Sequence, residues 1–140
     1  CMMRPPVGTR PPDLSVAQFF YVFLGGGLGS VARYLVSLAM ANTTGSSLPY
    51  ATLTVNVAGS FLISLIMHVA LSAGAISADL RLFLTTGVLG GLTTYSTFNY
   101  ETLSRFQDGA WLLGSLNLVL TVVVCLVASL LGLVVGRAIS

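Results

Sequence analysis

The chain has 140 residues, 55 % of them hydrophobic, and only ten are charged: six arginines, three aspartates and one glutamate. Soluble domains carry charge on about a quarter of their residues, so 7 % charge and a mean hydropathy of +0.93 exclude a water-facing globule and make lipid the solvent. A net charge of +2 spread this thinly also excludes a nucleic-acid footprint.

Residues 1–15 read as a flexible leader, with four prolines, Arg4, Arg10 and Asp13 ahead of Ser15, which is placed to cap a helix. The first apolar stretch predicts a helix from Val16 to Met40. Ala39-Met40-Ala41 fits a small-x-small cleavage pattern, but the stretch is longer than the core of a secretory signal and contains Arg33. Its Gly25-Gly26-Gly27-Leu28-Gly29-Ser30 run lacks the preceding strand and the final glycine of a nucleotide loop. The four-residue spacings Gly25/Gly29 and Gly26/Ser30 instead predict close helix contact. Asn42 to Leu48 reads as a short loop, and its formal sequon, Asn42-Thr43-Thr44, abuts a membrane helix and is taken as unglycosylated.

A second helix is predicted from Pro49 to Leu71, with Asn56, Gly59 and Ser60 on one side facing protein, because an asparagine amide in lipid would stand unpaired. Residues 72–79 connect to a third crossing over Leu80–Arg105, which Asp79 is placed to cap or begin. Glycines and threonines from Gly87 to Phe98 predict a break near Gly90–Thr94, since non-helical backbone at membrane depth must be buried in protein or line a site. The fourth helix is predicted from Gly109 to Val135. It carries a polar row, Asn117, Thr121, Cys125 and Ser129, beside a small-residue row of Ala128, Gly132 and Gly136. For Cys125 and Ser129, packing and a bond to the residue's own helix are the expected roles.

The expected architecture is all-α: one domain over residues 16–137 with four transmembrane helices, the third broken at mid-membrane, and a C-terminal tail at 138–140. Four spans are too few to enclose an aqueous path, so a dimer is expected as the working unit. Arg4, Arg10, Arg81 and Arg137 fall on the side of both termini and Arg105 on the other, which favours cytoplasmic termini.

No nucleophile, base and orienting acid assemble into an enzyme site. His68 stands alone, and Cys1 and Cys125 give no disulfide framework. Arg33 fits a snorkelling residue or a positive charge at the mouth of an anion path, and Glu101 a proton or cation carrier or a hydrogen-bonding structural group. The remaining polar set is uncharged: Asn56, Thr93, Thr94, Ser96, Thr97, Asn117 and Thr121, with Tyr95 and Phe98. Such donors can replace part of an ion's hydration shell, and aromatic ring edges can face an anion.

Three strings then carry a resemblance: Gly26-Gly27-Leu28-Gly29-Ser30-Val31-Ala32-Arg33-Tyr34, Thr52-Leu53-Thr54-Val55-Asn56-Val57-Ala58-Gly59-Ser60-Phe61, and Thr86 to Phe98 followed by Glu101. Over residues 22 to 135 the chain resembles the Fluc family of small dual-topology fluoride channels. The resemblance implies an antiparallel homodimer in the cell membrane (the inner membrane in a Gram-negative source) with two pathways exporting fluoride passively. It implies a pathway of Asn56, Tyr95, Ser96, Thr97, Phe98 and Thr121, and a structural sodium ion at the dimer interface held by the carbonyls of Gly90 and Thr93. Arg33, Glu101 and Asn117 become vestibule or structural polar groups. Tyr95 stands where the family pattern has phenylalanine, and Ala51 where it often has glycine. The alternative from size alone is a proton-coupled small-molecule exporter, although helix 1 lacks the deep acid that class needs.

Overall fold

The computed structural model describes residues 15–44, 50–72 and 76–139, and among these all regular secondary structure is helical. The helices are α1 (Val16–Thr44), α2 (Tyr50–Ser72), α3 (Ala78–Leu82), α4 (Gly90–Leu92), α5 (Tyr95–Gln107) and α6 (Trp111–Ile139), with a π-helical segment at Phe83–Leu89 joining α3 to α4. Three of them, through Val16–Ala41, Tyr50–Ser72 and Trp111–Ile139, are long and apolar enough to cross a membrane. Most of the predicted leader, Pro49 and most of the first loop lie outside the described residues.

Several boundaries differ from the sequence expectation. α1 continues to Thr44, so the predicted loop begins as helix, and its glycines do not interrupt it. Asp79 begins α3, in its first turn, and does not cap it: the cap is Ser77, whose Oγ accepts from the amide of Leu80 at 3.2 Å. An aspartate near a helix start serves equally well against the dipole, so sequence alone does not separate the two positions. Gly109 belongs to the end of α5 rather than the start of α6. At φ 75°, it lets its own amide reach the Phe106 carbonyl at 3.1 Å and that of Ala110 reach Arg105 at 2.8 Å, a glycine-terminated helix end. α6 then runs on through Ile139, into the predicted tail.

Two helix pairs organise the chain: α2 packs along α6, and α1 packs on the π-helical segment and α4. The second pair is backbone against backbone. A Cβ on Gly25 would lie 2.7 Å from the Phe83 carbonyl oxygen, and one on Gly29 would overlap the Val88 carbonyl. The small-residue spacing read from the sequence is therefore the contact that brings α1 onto the third helical segment. Gly29→Ala is expected to destabilise the fold by about 1–3 kcal/mol or more, the cost of overpacking where neither side can yield, read as a fall in the thermal unfolding midpoint in detergent.

The outward surface is apolar: Leu126, Leu130 and Val134 on α6 are each about 60 % exposed. The buried set is small and half polar, with Thr52, Thr94, Thr102, Asn117 and Thr121 beside Val55, Leu89 and Phe98. That inversion is expected where lipid surrounds the protein and the polar groups must find partners inside it.

Candidate functional site: a polar break between two cavities

The third helical run stops at Thr93 and Thr94, which are extended (φ −77°, ψ 153° and φ −150°, ψ 108°), before α5 starts at Tyr95. The predicted break is thus two residues wide and lies at the C-terminal end of the predicted range. Two devices hold it. Asn56 of α2 grips the Thr94 backbone from both sides: its Oδ1 accepts from the Thr94 amide at 2.8 Å and its Nδ2 donates to the Thr94 carbonyl at 3.2 Å. Because a backbone N–H can only donate, this pairing also fixes which way the amide points. The Thr94 hydroxyl caps α5, accepting from the Thr97 amide at 3.3 Å while donating to the Thr97 hydroxyl at 2.8 Å.

These bonds release two carbonyls. In an uninterrupted helix the Thr94 amide would serve the Gly90 carbonyl and the Thr97 amide that of Thr93. Both amides are instead taken by side chains, so the two carbonyls that the resemblance singles out lose their ordinary partners. Oxygens of an unwound transmembrane backbone suit a hard cation such as sodium.

The break separates two cavities. The first, about 360 Å³, is lined by Asn56, Thr93, Tyr95, Phe98 and Thr121, with Gly90 and Cys125 also on its wall. The second, about 300 Å³, is lined by Ser30, Arg33, Ser37, Thr52 and Thr97. Thr94 borders both. Among the described residues, Arg33 is the one formally charged residue on either wall. Tyr95 and Phe98 form a tilted ring pair with centroids 5.8 Å apart; Phe98 is buried and Tyr95 is 75 % exposed. Ser96 lines neither cavity, though its Oγ lies 3.4 Å from the Thr94 hydroxyl.

The other predicted site residues are supports around this core. Asn117 lines neither cavity; it donates to the Thr102 hydroxyl at 2.7 Å, which in turn donates to the Phe98 carbonyl at 2.8 Å. α6 therefore holds Phe98 from behind. Glu101 accepts from the Thr52 hydroxyl at 2.7 Å through Oε1, and its Oε2 is buried without a hydrogen-bond partner. Arg105 donates to the Glu101 backbone carbonyl at 2.7 Å. Ser129 bonds across to the Ser60 carbonyl at 3.2 Å instead of to its own helix. His68 lies beside the Ser72 hydroxyl at 3.3 Å, and no metal-binding group of His, Cys, Asp and Glu exists among the described residues. Sequence reasoning missed Thr52 and Thr102. The available signal was spacing, since each lies four residues from a residue already singled out, Asn56 and Phe98.

A small helical membrane protein with an uncharged polar break between two cavities is the architecture of an ion or solute pathway. Residues 20–133 match the family described as CrcB-like protein, Camphor Resistance (CrcB), and the chain belongs to that family. It is 46 % identical over 120 residues to the fluoride-specific ion channel FluC of Sorangium cellulosum, covering 86 % of this chain and 94 % of the relative. The protein of the same name from Anaeromyxobacter sp. strain K is 50 % identical over 81 % of this chain and 90 % of its own length. That from Clostridium perfringens is 44 % identical over 85 % and 90 %. The resemblance carried by the three sequence strings thus extends over most of the chain.

Proposed function

We propose that the chain is a fluoride-selective channel, not an enzyme, through which fluoride leaves the cell passively down its electrochemical gradient. The observation that carries it is the meeting of two cavities at an uncharged, donor-rich break, in a chain whose relatives are named fluoride-specific channels. Fluoride is small and strongly hydrated, so a path must offer several converging donors, while a full positive charge at the narrowest point would trap the ion. Arg33 sits on the wall of the second cavity, where it raises the local anion concentration. Past it the groups are neutral. Asn56 uses one amide hydrogen on the Thr94 carbonyl and has a second to offer an anion. Phe98 and Tyr95 offer ring edges, and the hydroxyls of Thr97 and Thr121 provide a polar track on the two walls, with the Ser96 hydroxyl set back beside that of Thr94.

In the working assembly residues 16–137 form one transmembrane domain in the cell membrane. The run from Ala78 to Gln107 makes the third of four crossings, as two half-helices meeting at Thr93–Thr94. Two copies associate antiparallel, and the exposed Tyr95 and Tyr100 gain cover. The carbonyls of Gly90 and Thr93 would hold a sodium ion between the copies, supplying fixed positive charge and a tie between the two breaks.

Efflux from liposomes containing the purified protein, with a potassium ionophore present, tests the proposal. Fluoride efflux well above protein-free vesicles with little chloride efflux is expected. Background-level fluoride flux would sink the channel, and equal chloride flux would sink the selectivity. The buried, half-satisfied carboxyl of Glu101 is the feature that favours the alternative, a proton-coupled small-molecule exporter. Glu101→Gln separates them: a glutamine oxygen still accepts from Thr52, so a channel keeps voltage-driven fluoride flux, whereas a coupled exporter loses transport together with its pH dependence.

A further inference from the structure

Gly59 lies on α2 three residues beyond Asn56 and is buried. A Cβ built on it would overlap the Cγ2 methyl of Thr93; beyond its own helix, the only other atom of the described residues within 4 Å is the Thr93 Cβ, at 3.7 Å. The obstruction is therefore one side chain at the break. The Thr93 hydroxyl donates to the Leu89 carbonyl at 2.8 Å, so the methyl cannot rotate away without giving up that bond. Away from the break, Gly114 and Gly136 likewise face one side chain each, Phe106 and His68, whereas three other glycines differ. Gly25, Gly29 and Gly132 face the backbone of a neighbouring helix, where no partner substitution could relieve an added methyl group.

We infer that the missing side chain of Gly59 is the seat of the Thr93 methyl, and that Gly59 is a positioning residue for the pathway: with Asn56 on Thr94, it sets the extended conformation of the break. The two contacts are complementary. Asn56 holds Thr94 by hydrogen bonds, whereas Gly59 accepts Thr93 by shape, and both come from one face of α2 because the residues are three apart. A methyl group at position 59 would push Thr93, and with it the carbonyl and cavity wall it contributes, away from α2. This inference rests on the fluoride-channel proposal for its activity readout, but the contact itself is testable without it.

The experiment uses the full chain, purified and reconstituted, with fluoride efflux and the thermal unfolding midpoint in detergent measured for each variant. Gly59→Ala is expected to lower fluoride flux at least about tenfold, as small displacements of positioned groups do, and to lower the midpoint. Adding Thr93→Ser, which deletes the methyl and keeps the hydroxyl, is expected to restore both to within about twofold and a few degrees of Thr93→Ser alone. Adding Thr93→Val, which retains a methyl group at the same place, is expected to restore neither. Gly59→Ala behaving as the parent protein overturns the inference. So does Thr93→Ser failing to rescue, or Thr93→Val rescuing equally well. If Gly59→Ala is not recovered folded, the size-exclusion profiles of the two double variants carry the same comparison. If the parent protein itself passes no fluoride, the channel proposal falls, while the pattern of unfolding midpoints still decides the Gly59–Thr93 contact.

Discussion

Asn56→Leu is expected to abolish fluoride flux, leaving efflux at the level of protein-free vesicles, and to destabilise the protein markedly. Leucine resembles asparagine in size but can neither accept from the Thr94 amide nor donate to the Thr94 carbonyl, and Asn56 does both. Thr94 is only 7 % exposed, so water does not readily replace the lost partner. Each buried backbone group left unsatisfied costs about 1–3 kcal/mol, and here two are affected together. The same change removes the second amide hydrogen of a residue that lines the first cavity. Asn56→Asp divides these effects: the carboxylate still accepts from the Thr94 amide but cannot donate to the carbonyl, and it adds a negative charge to an anion path. Unfolding midpoints with efflux rates check the prediction. Normal flux in either variant would remove Asn56 from the pathway.

Phe98→Ile is expected to separate conduction from folding. Phe98 is 3 % exposed, its ring pairs with Tyr95, and its carbonyl is held by the Thr102 hydroxyl, which Asn117 supports from α6. Isoleucine keeps the backbone anchor and much of the apolar volume, so the stability loss should stay below the 3–5 kcal/mol typical of Phe→Ala at roughly comparable burial. What disappears is the ring edge. If the ring edge contributes on the scale of an aromatic pair, about 0.5–1.5 kcal/mol, and about 1.4 kcal/mol is tenfold in an equilibrium, fluoride flux should fall about two- to tenfold. A folded variant with unchanged flux would show that Phe98 packs the break without touching the ion.

The contrast between the two variants follows from how each side chain is attached. Asn56 serves the backbone of another helical segment, so its loss disturbs structure and path together. Phe98 is held by its own carbonyl, so its ring can be exchanged while the helix stays in place.

Much of this was legible in the sequence for one physical reason: in lipid a polar residue must have a purpose. Low charge fixed the solvent, the length of the apolar runs gave three of the crossings, and the small-residue spacing at Gly25 and Gly29 marked a contact that the fold uses. The glycine and threonine content of residues 87–98 marked a break because those residue types disfavour continuous helix. Periodicity also put Asn56 and Gly59 on one face. It could not say what that face meets, because spacing along one helix carries no information about the register of its neighbour. Only packing decided that Asn56 holds Thr94 and Gly59 seats Thr93, that Thr52 reaches Glu101, and that Asn117 stands behind Phe98 and lines neither cavity. Those pairings depend on backbone approaches set by glycines on other segments, so they exist only once the helices have come together.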